Sequence, residues 1–152
     1  MLSEDDIILL ATTHALELAV RDIYANAVSR KYKSDDEQAL LVLIHSHHAA
    51  YEQTLNGVLG KRAATVRNND VYAKFFSLLQ DASKLWSTLL ELENTAIATH
   101  TAVIAKLASP QNAALLGSIT TVEARHAAML ATRISTNLDL ALKNTAQSLV
   151  AP

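Results

Sequence analysis

The sequence predicts an all-α protein: an antiparallel four-helix bundle whose crossover connection carries a short helix of its own. Three observations predict it. Only 3 Gly and 2 Pro occur in 152 residues, while strong helix formers dominate. Apolar residues recur at spacings of three and four through four long segments, and no alternating strand pattern competes. The first and last pairs of segments are joined tightly, whereas about 20 residues separate the pairs. Short joints force antiparallel neighbours. The length fits one domain over residues 1–152.

The first helix is predicted over 3–30, opened by the cap and acidic turn of "SEDD". The second spans 34–59, opens with "SDDE" and stops at Gly60. A polar stretch, "KRAATVRNND", then leads to "VYAKFFSLL", read as one short helix that packs under the crossover. The third long helix covers 82–108 and is broken by "SPQN". The fourth covers 112–146 and frays at its end. The hairpins are therefore 3–59 and 82–146.

Composition excludes several function classes. There is no cysteine, so disulfides, zinc fingers and thiol catalysis are ruled out. A formal net charge of −2 without a basic run gives nucleic acid no partner surface. No apolar run reaches the ~20 residues of a membrane span. The N-terminus lacks the charged-then-apolar pattern of a signal, which predicts a cytoplasmic protein. The Ala-rich outer faces predict a homodimer.

The core-facing stripes contain ionisable residues. On the fourth helix the stripe runs Leu116, Ile119, Glu123, His126, Leu130, Ile134. On the third it runs Trp86, Leu89, Glu93, Ala96, His100, Val103, Leu107. The second helix offers two tracks, Leu41–Ile44–His48–Tyr51–Leu55–Val58 and Leu41–His45–His48–Glu52–Leu55. Glu17 lies inside the wide apolar arc of the first helix. Residues equally far from an antiparallel turn sit at one height. Glu17 is ~16 residues before the first turn and His48 ~15 after it. Glu93 is ~17 before the second turn, with Glu123 and His126 ~13 and ~16 after it.

Three inward glutamates and at least two histidines are prohibitively costly unless something positive sits among them. Two solutions exist. A closed polar network can pair imidazoles with carboxylates, or metal ions can take the oxygens and nitrogens. Glu123 and His126, at i and i+3, project to one side of a helix and can serve one ion.

These residues resemble the ferritin-like superfamily, most closely its small bacterial domain proteins. That family's di-iron pattern is Glu on the first helix, Glu-x-x-His on the second, Glu on the third and Glu-x-x-His on the fourth. The matching stretches are "THALELAV" with Glu17, "IHSHHAAYEQTL" with His48, "LLELENTAIATH" with Glu93 and "VEARHAAML" with Glu123 and His126. Glu17 followed seven residues later by Tyr24 is also similar to first helices of that superfamily. The resemblance spans about residues 9–138. It implies one or two iron or manganese ions, with Glu17 and Glu93 as terminal or bridging carboxylates, Glu123 bridging, and His48 and His126 each capping an ion. Oxidoreductase chemistry on dioxygen, peroxide or iron(II) would follow.

One position departs from the pattern. His45 stands where the second-helix Glu is expected. Two divalent ions bring +4, and three carboxylates leave +1. His45 is thus a candidate ligand that does not restore the charge. His100 is read as a buried histidine behind the ligands, and His14 as a satisfied or rim histidine. Glu52 is a substitute ligand or a surface salt bridge. Tyr24 is read as a core residue with a wet hydroxyl. Two rival readings remain: a bundle that has lost its metal and serves a structural or interaction role, and a pH-responsive bundle with a buried His–Glu network.

Overall fold

The computed structural model describes residues 2–31 and 33–151; the two termini of the expected 1–152 domain lie outside the described residues. The described chain is all-helical, with no strand among its elements. The helices are α1 (Glu4–Val28), α2 (Asp35–Leu59), α3 (Asn69–Leu78), α4 (Leu85–Ile104), α5 (Pro110–Ala131) and α6 (Leu138–Leu142). Short 3-10 turns occupy Gly60–Arg62 and Ala82–Lys84. Two compact units result: residues 10–80, and residues 1–9 together with 81–152.

In the unit of residues 10–80, α2 begins with a complete capping box. The Ser34 hydroxyl accepts from the Glu37 N–H while the Glu37 carboxylate accepts from the Ser34 N–H. Gly60 closes the helix at φ 54°, a conformation that disfavours side chains with a Cβ. The Asn68 side chain caps α3 by accepting from the Val71 N–H. Val71 and Phe75 bury the inner face of α3, as the reading of "VYAKFF" as a packing patch requires. The core of this unit is Leu10, Leu16, Ile23, Leu41, Ile44, Leu55 and Phe75.

The other unit is organised by the α4–α5 hairpin. Ser109 caps α5 by accepting from the Asn112 N–H, and Pro110 occupies the first turn. Pro110 therefore starts the helix, which opens two residues earlier than the expected 112. Its missing N–H is no loss at that position. Asp6 adds a second tie. It is 2% exposed, and its two carboxylate oxygens accept from the Ala108 N–H at 2.8 Å and the Ser109 N–H at 3.0 Å. Asp6→Ala would strip the acceptor from both donors at the α4–α5 turn. A hydrogen bond to a charged acceptor contributes about 1.5–3 kcal/mol. For a chain of this size, a loss of about 3 kcal/mol lowers the melting temperature by roughly 6–12 °C. Differential scanning calorimetry should show that loss, and a smaller one for Asp6→Asn.

The fourth long helix is shorter than its expected span of 112–146. It ends at Ala131. Ile134, assigned to the buried stripe, is consequently 42% exposed. The cause is local and tertiary together. Asn137 caps a separate helix by accepting from the Asp139 N–H, and hydroxyl and amide side chains offer the backbone alternatives to a continuing helix. The tail then runs back along α4. The Asn144 amide donates to the Asn94 carbonyl at 3.0 Å, and the Leu149 N–H donates to the Thr99 hydroxyl at 3.0 Å. The third helix is likewise trimmed, to 85–104, with a 3-10 turn at its start.

Candidate metal centre

In the unit of residues 10–80, α1 and α2 bring together the ionisable residues of their inner faces. The buried track of α2 is Leu41, Ile44, His48, Glu52, Leu55, Leu59. It draws on both tracks the sequence offers, and Leu59 takes the place of the exposed Val58. Glu17 and His48 are both 0% exposed, and His48 Nδ1 lies 2.8 Å from Glu17 Oε2. The equal-height argument thus holds inside this hairpin. Two aromatic rings fix the imidazole. Tyr24 stacks on it with centroids 5.3 Å apart and planes 14° apart. Tyr51 approaches edge-on at 5.5 Å and 82°. Tyr24 itself is 0% exposed, so the expected wet hydroxyl is corrected: the whole side chain lies in the core against His48.

Glu52 is buried, not on the surface. Its Oε1 accepts from Arg21 Nη1 at 2.8 Å and its Oε2 lies 3.4 Å from His14 Nε2. Both oxygens are engaged by cationic or imidazole donors, which argues against a role as substitute ligand. His14 is satisfied on both sides of its ring. The Ala64 N–H donates to Nδ1 at 3.1 Å, so Nδ1 is the acceptor and Nε2 carries the proton directed at Glu52. The chain of charges continues outward. Arg21 donates to Asp22 through Nε and Nη2, and Arg67 donates to Asp22 at 2.7 Å while stacking on the Tyr72 ring. Burial works against the Arg21 charge, yet Asp22 and Glu52 outweigh it and raise its pKa. This network ties α1 and α2 to the connecting segment.

His45 is half-buried on the flank of α2. Burial is the largest influence on its imidazole and holds its pKa below the ordinary value, with Arg21 and His48 adding to the effect and Asp22 opposing it. A neutral imidazole at neutral pH keeps a lone pair for a ligand. It is nonetheless not among the buried groups of the described residues that could hold an ion.

In the other unit, the central parts of the predicted α4 and α5 stripes are buried, while Trp86 and Leu107 at the ends of the α4 stripe are only half-buried and Leu107 lies beyond the helix. Leu89, Glu93, Ala96, His100 and Val103 are buried on α4, and Leu116, Ile119, Glu123, His126 and Leu130 on α5. Glu93, His100 and Glu123 are each 0% exposed, and His126 is 6% exposed. The α4–α5 pairing crosses between the two helices. His126 Nδ1 lies 3.4 Å from Glu93 Oε1. His100 Nδ1 lies 2.9 Å from Glu123 Oε2. Glu91, one turn-face away, is exposed.

Two of these pairs were not assigned from the sequence, His14 with Glu52 and His100 with Glu123. The signal was present. His14 is ~19 residues before the first turn and Glu52 ~19 after it, and His100 is ~10 before the second and Glu123 ~13 after. The equal-height rule applied to every inward ionisable residue finds both.

The donor set suits a metal. Glu17, His48, Glu93, Glu123 and His126 are buried residues that could hold a metal ion. Carboxylate oxygens and imidazole nitrogens without thiolates match manganese and iron(II). No helix among the described residues is long and apolar enough to cross a membrane. No curated protein and no solved structure gives a significant match to this chain. The model of the ferritin-like domain matches residues 5–136, a span that contains every one of the residues above. The chain belongs to the ferritin-like domain family.

Proposed function

We propose that this protein binds iron or manganese through Glu17, His48, Glu93, Glu123 and His126. The observation that carries the reading is the complete burial of three glutamates on the inner faces of α1, α4 and α5, at the positions where the ferritin-like pattern places ligands. A buried carboxylate is stable only beside compensating charge or donors, and a divalent ion supplies that charge. Glu93, His126 and Glu123 would contribute from the α4–α5 hairpin. Glu17 and His48 would contribute from the α1–α2 hairpin, where Tyr24 and Tyr51 keep the imidazole ring in place. When bound, the metal would supply redox chemistry toward dioxygen, peroxide or iron(II). The protein's own part is to fix the ligands on rigid helices and to exclude water from them.

Protein purified without chelator and analysed by inductively coupled plasma mass spectrometry should carry at least one iron or manganese per chain. Metal-free protein that takes up neither ion would sink the proposal. A specific observation favours the second reading, a bundle without metal in a structural role. The Glu17–His48 and His100–Glu123 contacts already form close polar pairs, and His45 replaces one carboxylate of the family pattern.

A further inference from the structure

We infer that His100 is a positioning residue: its Nδ1–H holds the Glu123 carboxylate by Oε2 and so sets how that carboxylate is presented to an ion. This rests on the metal-binding reading above. The contact is 2.9 Å long and joins two side chains that are both 0% exposed. A carboxylate accepts, so Nδ1 is the protonated nitrogen. The partners stand on facing helices of one hairpin, so the bond spans α4 and α5 and is not local to either.

Membership of the ion-binding groups distinguishes positioning from ligation: His48 makes a similar Nδ1 contact to Glu17 and is among the described groups that could hold an ion, whereas His100 is not. The imidazole of His100 turns Nδ1 toward Glu123, which sends Nε2 to the opposite edge of the ring. Glu93 lies seven residues before it on the same face of α4, and its carboxylate is approached by His126 instead. The hairpin therefore carries two histidines with different tasks. His126 is available as a ligand beside Glu93, while His100 stands behind Glu123. The hydrogen bond restricts the carboxylate's rotamers. Rotamer freedom that is already spent in the metal-free protein is not lost again on ion capture. Hydrogen-bond partners of ligating groups commonly matter 10–100-fold for metal affinity.

The test uses the full chain and manganese(II), titrated calorimetrically, with cobalt(II) absorption as the report of ligand geometry. His100→Leu should weaken manganese(II) binding about 10–100-fold. His100→Asn, whose side-chain amide can still donate toward Glu123, should stay within about threefold of the wild type and reproduce its cobalt(II) spectrum. In a Glu123→Gln background, His100→Leu should add less than about twofold, because the two residues act as one unit. Unchanged binding in His100→Leu, equal losses in His100→Leu and His100→Asn, or additive losses with Glu123→Gln would each overturn the assignment. If His100→Leu does not fold, a loss beyond about tenfold in folded His100→Asn overturns it. A wild type that binds neither ion ends the metal-binding reading and this one with it. A wild type that binds while His100→Leu binds equally well ends only this one.

Discussion

Glu123→Ala is expected to remove most of the metal-dependent stabilisation of this protein. An ion that binds only the folded chain stabilises it by about 2.7 kcal/mol at a hundred times its dissociation constant. For a chain of 152 residues that corresponds to a rise of roughly 5–11 °C in melting temperature. The wild type should show such a rise with anaerobic iron(II) or with manganese(II). The variant should show a much smaller one, since it lacks a fully buried carboxylate and leaves an ion with more uncompensated positive charge. The metal-free variant should also melt below the metal-free wild type. His100 Nδ1 loses its 2.9 Å acceptor, and an unsatisfied buried donor costs about 1–3 kcal/mol. The two effects are separable by the difference between melts with and without ion. Equal ion-induced shifts in wild type and variant would refute the role of Glu123, whatever the variant's baseline stability.

His45→Glu is expected to have the opposite sign. It places a carboxylate three residues before His48, where the ferritin-like pattern has one, and supplies the fourth negative charge against the +4 of two divalent ions. A second manganese(II) should bind at least about tenfold more tightly, equivalent to ~1.4 kcal/mol. The neighbourhood bears on this outcome. Arg21 acts on His45 electrostatically and could capture a new carboxylate. Its Nε and Nη2 already donate to Asp22 and its Nη1 to Glu52, so three of its five N–H donors and most of its charge are already engaged. Calorimetric titration reads the result directly. A stoichiometry and second affinity identical to the wild type would show that position 45 does not face the metal.

Much of the fold was legible because it is written locally. The capping box of Ser34 and Glu37, the acidic first turns and the stop at Gly60 act within a few residues of chain, so the sequence carries them whole. The periodic stripes that bury Leu89, Glu93, Ala96 and His100 on α4, and Leu116 to Leu130 on α5, follow from 3.6 residues per turn. Glu17 opposite His48 and Glu93 opposite His126 followed from counting residues outward from a turn, because every α-helix rises equally. Failures came where a local rule met a partner elsewhere. Pro110 reads as a breaker and starts a helix, because Ser109 caps it and Asp6 binds the turn.

What the sequence determined by itself, then, is the helical class, the order of the four long helices with a short helix in the crossover, the inward Glu17, His48, Glu93, Glu123 and His126, and the membership that the ferritin-like pattern implies. Tertiary structure alone decided which track of α2 is buried, since Tyr51 and Glu52 are adjacent and only packing selects between them. It chose Glu52 because Arg21 and His14 on α1 satisfy a carboxylate there. It also decided that α5 ends at Ala131, with the tail returning along Asn94 and Thr99 of α4, and that His100 meets Glu123. The physical reason is common to all of these. A periodicity tells which residues face inward, but the free energy of burying a charged or polar group is set by the donor or acceptor that another element brings to it.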